Sequence, residues 1–303
     1  MRLGLKIDVC TYDGLRLGVP NLLRLLDRHG LRASFFVALG PDTSGRAILQ
    51  IFRPGFLAKM RRTRAIRTYG LRTLLSGTLL PPRHVGRGLA QRVCEIVRAG
   101  HEVAVHGYDH RRWQDRLHSM DAEAVREEVR RALATYREIT GINPRGFGAP
   151  GWQCSAASLA ALDEFGFSYA SDTRGSVPFF PRLNGGSLST LQLPTTLPTL
   201  DEALGVSIPD GAGFPGLVRQ HLRAQAWPVL TIHAEMEGQG YLPVTEQLLH
   251  ALHAESVEVV PLDTLAEAVR MEWGGQIPVA EIVLRPISGR AGTVAMPGAV
   301  RMA

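Results

Sequence analysis

The sequence predicts an α/β fold whose mainly parallel sheet closes into a barrel. Apolar segments of strand type alternate along the chain with segments of helical period, which is the pattern of repeated strand–helix units. With 303 residues, of which 45% are hydrophobic, the chain is long enough for one large domain of this kind. Ionisable residues stand at the ends of three predicted strands, where parallel barrels build their active sites.

The strands are predicted from short apolar runs rich in β-branched and aromatic residues. In chain order they are RLGLKIDV, RASFFVAL, HEVAVH, FSYAS, WPVLTIH and VEVVPL. The helices are predicted from their apolar period of 3.6 residues. They are VPNLLRLLDRHG, GLAQRVCEIVRAG, DAEAVREEVRRALATYREITG, SAASLAALDEFG, PGLVRQHLRAQ, VTEQLLHALHA and TLAEAVRMEW. Asp121 is the expected N-cap of the third helix, and Gly141 its expected end.

Two segments interrupt this alternation. Residues 274–303 turn to glycine, proline, alanine and other small residues, and we expect an irregular C-terminal tail there. Residues 43–87 form a basic insertion within the barrel domain, which otherwise covers residues 1–273. The insertion more than accounts for the net charge of +6, since no Asp or Glu lies among its cations. These cations are Arg46, Arg53, Lys59, Arg61, Arg62, Arg64, Arg67, Arg72, Arg83 and Arg87.

The basic insertion interleaves its cations with apolar residues, in short pieces broken by glycine and proline. Short basic amphipathic helices of this composition lie in the interface of an anionic bilayer. The alternative is an insertion that packs its apolar side on the barrel and leaves its arginines in solvent. Nucleic acid is not expected as a partner, because the aromatic residues form no base-stacking pattern and no nucleic-acid-binding motif accompanies the charge.

Cellular location and redox state follow from what the sequence lacks. It has no apolar stretch of about eighteen residues that could span a membrane, and MRLGLKIDVC has no apolar signal-peptide core. We therefore expect a cytoplasmic protein. Cys10, Cys94 and Cys154 are too few and too scattered for a disulfide framework, so reduced thiols are expected.

Two histidines, His106 and His110, follow the predicted strand HEVAVH at a spacing that lets one turn direct both imidazoles at a single ion. The alternative is a pair of satisfied, partly buried histidines. Their position after a parallel strand favours the metal, because a barrel core needs no histidine there. Asp109 lies between them, and we expect it to cap the following turn rather than to accept an imidazole N–H.

Asp8 lies within the apolar strand RLGLKIDV, where an unpaired charge would cost several kcal/mol. We interpret it as a general base beside the metal. The alternative is a buried carboxylate that is satisfied by a backbone turn or by Arg145. Cys10 shares the strand face of Asp8. Its thiolate is a candidate metal ligand, although a free cysteine more often serves as a small buried apolar residue.

His233 ends the strand WPVLTIH, with Glu235 and Glu237 close behind it. We expect its imidazole to donate a proton to a leaving amine. The segment YASDTRG adds Asp172 and Arg174. Asp172 is the predicted carboxylate partner that keeps His233 charged and oriented, and the alternative is a local ion pair between Asp172 and Arg174.

These motifs together resemble the polysaccharide deacetylases of the NodB-homology type. The shared features are an Asp on the first strand, an H-x-x-x-H pair after a later strand, a segment like Pro150–Trp152 and a late strand that ends in His. The resemblance is greatest to the branch that removes a formyl group from an amino sugar linked to undecaprenyl phosphate. GLKIDVCTYDGLRLGVP, GPDTSGRA, SDTRGSVPF, LPTTLPTLDEALG and TIHAEMEG carry it, in order, from about Leu3 to Trp273.

The resemblance implies a distorted (β/α) barrel and a divalent metal, with Zn, Mn, Co and Ni all admissible. It assigns the metal to His106 and His110, the base to Asp8 and the acid to His233. The residues expected to support the site are Asp172, Arg174 and Trp152.

Two departures from the family concern the site. The relatives carry an Asp where this chain has Cys10, so the third ligand is the Cys10 thiolate, an oxygen of Asp8 or a water. We expect the two histidines to keep the ion if Cys10 is removed. Gly148 replaces an Arg that positions the base in the family, and Arg174 or Arg145 is expected to take that place.

The implied function is hydrolysis of an N-formyl amide on undecaprenyl-phosphate-linked 4-formamido-arabinose, at the inner face of the cell membrane, as in lipid A modification. The basic insertion then has a purpose, because the lipid chain lies in the membrane while the sugar must reach the site. One alternative is a soluble glycan N-deacetylase, which has no use for such an insertion. Another is a non-catalytic protein that binds lipid-linked sugars and lost a ligand at Cys10.

Overall fold

The computed structural model describes residues 1–46 and 71–300. Within these ranges the strands are β1 (Arg2–Val9), β2 (Ser34–Val37), β3 (Glu102–Val105), β4 (Gly146–Phe147), β5 (Tyr169–Ala170), β6 (Phe180–Leu183), β7 (Gly186–Ser187), β8 (Leu191–Gln192), β9 (Val229–His233), β10 (Glu258–Val260), β11 (Val279–Ala280), β12 (Ile282–Pro286) and β13 (Thr293–Pro297).

The α-helices in the same ranges are α1 (Val19–Arg28), α2 (Leu71–Leu75), α3 (Val85–Gly88), α4 (Ala90–Arg98), α5 (His110–Arg116), α6 (Ala122–Thr140), α7 (Ala156–Glu164), α8 (Leu200–Ala203), α9 (Phe214–Leu222), α10 (Leu242–Ala254) and α11 (Leu262–Trp273). None of these helices combines the length and the apolar character needed to cross a bilayer. All thirteen predicted elements coincide with an observed one, although FSYAS is reduced to the two residues of β5.

The main sheet is parallel and has the strand order β10-β1-β2-β3-β4-β5-β8, with β9 also paired to β1. β10 pairs with β1 from Arg2 to Gly4, and β9 pairs with it from Gly4 to Asp8. The segment after β8 reaches the start of β9, where the Leu197 N–H donates to the Val229 carbonyl oxygen over 3.2 Å. The sheet therefore curls round on itself, and the predicted distorted (β/α) barrel is confirmed.

Helices cover the outside of this sheet. Leu5 and Ile7 of β1 belong to the same buried cluster as Leu26 of α1. The intervening residues of β1, Lys6 and Asp8, are polar and nevertheless buried. Because successive side chains of a strand point to opposite faces, this alternation places Lys6 and Asp8 in the barrel interior.

Helix α6 has the two ends predicted for it. Asp121 accepts a hydrogen bond from the Ala124 N–H over 2.8 Å. Gly141 closes the helix with a φ of +75°, a conformation that glycine adopts without steric cost.

The predicted irregular tail is wrong. β12 and β13 form an antiparallel hairpin in which Ile282 stands opposite Pro297, and β11 pairs with β6. Val294 and Ala295 of β13 are buried, so the hairpin packs on the barrel. Small residues hide this structure from a compositional argument, because two short strands joined through glycines need few large apolar side chains.

The described ends of the basic insertion, residues 43–46 and 71–87, contact the barrel. Arg83 forms an ion pair with Asp13 at 3.2 Å, and Arg87 forms one with Glu138 at 2.8 Å. These two cations pair with carboxylates of the barrel, whereas the alternative had the arginines of the insertion in solvent. The cations at positions 53 to 67 lie outside the described residues, so membrane binding by the insertion stays a prediction.

Candidate active site

Three strand ends bring the predicted catalytic and metal-binding residues to one edge of the barrel. β1, β3 and β9 run parallel, so their carboxyl ends share that edge. Asp8 stands opposite His233 in the ladder between β1 and β9. His106 follows β3, and its N–H donates to the Val37 carbonyl oxygen at the end of β2 over 2.9 Å.

Asp8 is buried beside an equally buried lysine. Lys6 Nζ lies 3.5 Å from Asp8 Oδ1 and donates to the Ser171 carbonyl oxygen over 3.1 Å. Burial raises the pKa of Asp8, but Lys6 and two nearby imidazoles outweigh burial and hold this pKa below its usual range. Asp8 is therefore ionised near neutral pH, as a general base must be.

Arg174 and Arg145, which were expected to position Asp8 in place of the family arginine, pair with other groups among the described residues. Arg174 Nη1 donates to the Thr195 carbonyl oxygen over 2.8 Å, and Arg145 is half-exposed and pairs with surface carboxylates. Lys6 supplies the compensating charge instead. The sequence carried a signal for it, because residues two apart on a strand share a face.

The two predicted histidine ligands lie side by side. The ring centroids of His106 and His110 are 5.0 Å apart. His106 Nδ1 donates to the Gly148 carbonyl oxygen over 2.7 Å, which leaves Nε2 with a free lone pair. Burial lowers the pKa of His106 to about 4, and burial and His106 lower that of His110 well below its usual value. Both imidazoles are therefore neutral at pH 7, the form that binds a metal.

Cys10 completes a group of three metal donors. A donor atom of Cys10 lies within 4.8 Å of one from His106 and one from His110. Asp8 also approaches this group, with Oδ2 at 3.9 Å from His106 Nε2, and its Oδ1 is buried without a hydrogen-bond partner among the described residues. Nitrogen, sulfur and carboxylate donors suit a borderline divalent ion such as Zn²⁺, so the residues present fit a metal.

The chemistry of Cys10 differs from that of the carboxylate that its apparent relatives carry. Burial raises the pKa of the Cys10 thiol well above its usual value, and Glu235 and Asp8 raise it further. Glu235 also holds the turn, since its Oε1 accepts hydrogen bonds from the N–H groups of Cys10 and Thr11 over 2.9 and 2.8 Å. Without an ion the thiol is thus protonated.

Asp109 caps the helix that follows the first histidine, as predicted. Its Oδ1 accepts hydrogen bonds from the Arg112 N–H over 3.0 Å and from Thr43 Oγ1 over 2.8 Å. The cap starts α5 at His110 and so determines where this imidazole lies relative to His106.

The predicted pairing of His233 with Asp172 is wrong. Asp172 accepts hydrogen bonds from the Ala149 N–H over 2.8 Å and from Gln192 Nε2 over 3.0 Å, and burial raises its pKa to about 6.

Other carboxylates favour the charged form of His233. Burial would lower the pKa of His233, but several carboxylates, of which Asp201 has the largest effect, raise it above its usual value. Glu237 Oε2 accepts a hydrogen bond from the His233 N–H over 2.9 Å. His233 Nδ1 is buried with no hydrogen-bond partner among the described residues. A protonated His233 suits the predicted role of proton donor.

Trp152 packs against a cluster of charged residues, one of which, Arg290, comes from the C-terminal hairpin. Its ring is 4.4 Å from Arg290 Cζ and 5.4 Å from Arg174 Cζ. Arg290 Nη1 lies 3.7 Å from Asp201 Oδ2 and 3.6 Å from Glu202 Oε1. Arg174 Nη2 also donates to Glu202, over 3.0 Å. Two arginines and two carboxylates thus balance each other in a buried cluster.

Sequence reasoning missed three residues of this site, namely Lys6, Asp201 and Arg290, and it gave no separate role to Glu235. The two short apolar runs in EIVLRP and TVAMP, on either side of the glycine-containing ISGRAG, are a hairpin signal that could have located Arg290. Asp201 lies in LPTTLPTLDEALG, a segment that was recognised but given no role.

The chain is similar to known proteins over most of its length. Residues 6–170 match the family model for polysaccharide deacetylase. A Shewanella sediminis protein named "Probable 4-deoxy-4-formamido-L-arabinose-phosphoundecaprenol deformylase" is 36% identical over 291 residues, which cover 96% of this chain and 93% of that protein. A protein of the same name from Wigglesworthia glossinidia brevipalpis is 31% identical over 284 residues, covering 93% and 97%.

Solved structures share the fold. A crystal structure from Mycobacterium smegmatis has a TM-score of 0.65 at 22% identity and covers 94% of each chain. One from Pseudomonas aeruginosa has a TM-score of 0.62 at 17% identity, covering 89% of this chain and 92% of the other.

Proposed function

The chain belongs to the polysaccharide deacetylase family and is an amide hydrolase of the deacetylase and deformylase type, and from this premise we propose that it removes the N-formyl group from undecaprenyl-phosphate-linked 4-formamido-arabinose in a metal-dependent reaction. The observation that carries the proposal is the pairing of Asp8 with His233 beside the group of Cys10, His106 and His110. Two relatives named for this deformylation, matched over more than nine-tenths of their length, support the choice of substrate.

The metal would be held by His106 and His110, with Cys10 or Asp8 in the third position. When bound, such an ion polarises the amide carbonyl and makes a water molecule more acidic. Neutral imidazoles are ready to bind it without first losing a proton, because burial keeps their pKa values low.

Asp8 acts as the general base. Its carboxylate takes a proton from the attacking water, and Lys6 keeps it ionised and in place at 3.5 Å. Since both side chains are buried, their attraction is little weakened by solvent.

His233 acts as the general acid. It gives its proton to the sugar nitrogen while the C–N bond breaks, so that formate and a free amine leave the site. Asp201 and the neighbouring glutamates hold His233 in the protonated form that this step requires.

The substrate's lipid explains the basic insertion in this proposal. The undecaprenyl chain is in the membrane, and the cations at positions 53 to 67 would hold the protein on an anionic surface at the inner face of the cell membrane. The described ends of the insertion contact the barrel beside the catalytic edge, because Thr43 donates to Asp109, the residue before His110.

The test is formate release from a formamido-sugar polyprenyl phosphate by the purified full-length protein. We expect formate to be released, the reaction to stop with a chelator, and activity to return when a divalent ion is added. The acetamido analogue is the matched control. Faster release of acetate than of formate would support the glycan deacetylase instead, and binding without turnover of either would support the non-catalytic alternative.

A further inference from the structure

A second group of metal donors lies between α1 and α10, away from the catalytic edge. Donor atoms of His29, Glu246 and His250 all lie within 4.8 Å of one another. Glu246 and His250 are four residues apart in α10 and therefore share one side of that helix. His29 directly follows α1 as its C-cap. We propose that this group binds a divalent transition-metal ion such as Zn²⁺ and ties α1 to α10.

The donor set has the chemistry of a zinc site. Two imidazole nitrogens and a carboxylate oxygen are common zinc ligands, and water takes the remaining position at an open site. The rings of His29 and His250 lie edge to face with centroids 4.7 Å apart. The imidazole nitrogens of His29 and His250 make no hydrogen bond to any residue that the structure describes, so each neutral ring has a lone pair available for a metal ion.

Glu246 is paired with Arg28, and metal binding does not require this pair to break. Its Oε1 accepts a hydrogen bond from Arg28 Nη2 over 2.8 Å. Both side chains of this pair are largely exposed, and exposed ion pairs contribute little to stability. Glu246 can therefore give one oxygen to an ion while Arg28 retains the other, or release Arg28 to solvent.

The location separates this group from the catalytic one. α1 follows β1, which carries Asp8, and α10 follows β9, which carries His233. Both helices run back from the catalytic edge, so the ends that carry His29 and His250 point toward the opposite edge of the barrel. An ion there would stabilise the packing behind the two paired catalytic strands and would take no part in the reaction.

The experiment measures zinc stoichiometry and thermal unfolding of the full chain without a histidine tag. Metal is first removed with a chelator, and Zn²⁺ is then added in equilibrium dialysis. We expect His250→Ala to bind one equivalent fewer than the wild type. We expect the wild-type Tm to rise by roughly 5 °C more than that of the variant when free Zn²⁺ is about a hundredfold above its dissociation constant.

His253→Ala is the matched control, since it removes a histidine of the same helix that is outside the group. It should keep both the extra equivalent and the larger Tm rise. The catalytic ion contributes equally to the wild type and to His250→Ala, so it does not affect the difference between them in zinc stoichiometry or in Tm rise. His106→Ala removes the catalytic ion in a separate measurement. Equal stoichiometry and equal Tm rise in the wild type and His250→Ala would overturn the proposal, whether or not the proposed deformylation is correct.

Discussion

Asp8 and His233 stand directly opposite each other on two hydrogen-bonded parallel strands, β1 and β9. Neighbouring strands lie about 4.8 Å apart, so the ladder itself places a carboxylate and an imidazole within reach of one scissile bond. The environments of the two groups push their pKa values apart, since cations lower that of Asp8 and carboxylates raise that of His233. Opposite protonation states at neutral pH are what a base and an acid acting in one reaction need.

We expect Asp8→Asn to lower kcat for formate release by about 10²- to 10⁴-fold, because an amide cannot accept the proton of water. Steady-state rates and metal content of the purified variant are the measurements. Circular dichroism checks that the variant is folded, since Lys6 loses its buried counter-charge. A folded, metal-loaded Asp8→Asn protein with more than a tenth of wild-type activity would exclude Asp8 as the base.

We expect Cys10→Ala to retain the catalytic ion and much of the activity, because Asp8 Oδ2 lies 3.9 Å from His106 Nε2 and can supply a ligand oxygen in place of the thiolate. Cys10→Asp should do at least as well, since it restores a carboxylate. His106→Ala, by contrast, should lose both metal and activity. Metal analysis of the three variants decides the question: a folded, metal-free and inactive Cys10→Ala protein would show that the thiolate is a ligand.

Arg290→Ala should lower both stability and activity. Arg290 lies over Trp152 and near Asp201 and Glu202, so its removal unbalances a buried cluster. We expect the free energy of unfolding to fall by about 3 kcal/mol. Urea denaturation and kcat/KM measure the two effects. Arg285→Ala is the control, because this exposed arginine lies in the same hairpin. Equal behaviour of the two variants would mean that Arg290 has no special role.

Glu102 makes stability depend on pH. It accepts hydrogen bonds from the Tyr169 hydroxyl over 2.8 Å and from the Asp263 N–H over 3.1 Å. Burial raises the pKa of Glu102 from 4.5 to about 7. The folded protein thus holds this proton more tightly than the unfolded chain does. Its contribution to the free energy of unfolding, on the order of 3 kcal/mol, is present below pH 4.5 and is lost as pH rises to about 7.

The measurement is urea denaturation at pH 5 and pH 8. Glu102→Gln should show a smaller decrease between the two values than the wild type, whatever its overall stability. Glu281→Gln changes an exposed glutamate and should keep the wild-type decrease. An unchanged decrease in Glu102→Gln would assign the effect to other groups.

The basic insertion should bind anionic membranes. We expect the protein to sediment with anionic liposomes and to be released by salt, because each cation near such a surface contributes about 1 kcal/mol. Replacing Arg61, Arg62 and Arg64 together with Gln should weaken binding and lower activity on a long-chain lipid substrate more than on a short-chain analogue. Equal losses on both substrates would indicate a role in folding.

The features that the sequence determined by itself are local ones. Strand and helix periods, the Asp121 and Asp109 caps, the Gly141 end and the spacing of the two histidines each depend on residues within about a turn or two of one another. Such patterns are set by backbone geometry and by the hydrogen-bonding groups nearest in the chain. The sequence also predicted that the candidate catalytic and metal-binding residues lie at one edge of the sheet, because the carboxyl ends of parallel strands share an edge.

Only the tertiary structure decided which side chains face each other across the barrel. Asp172 and His233 are both at strand ends, yet Asp172 bonds to Ala149 and Gln192, and Asp201 is the carboxylate with the largest effect on His233. In the same way the chain returns as a hairpin to place Arg290 over Trp152, 138 residues away in the sequence. Partners of this kind depend on strand order and the packing of distant segments, which the pattern within any one segment does not specify.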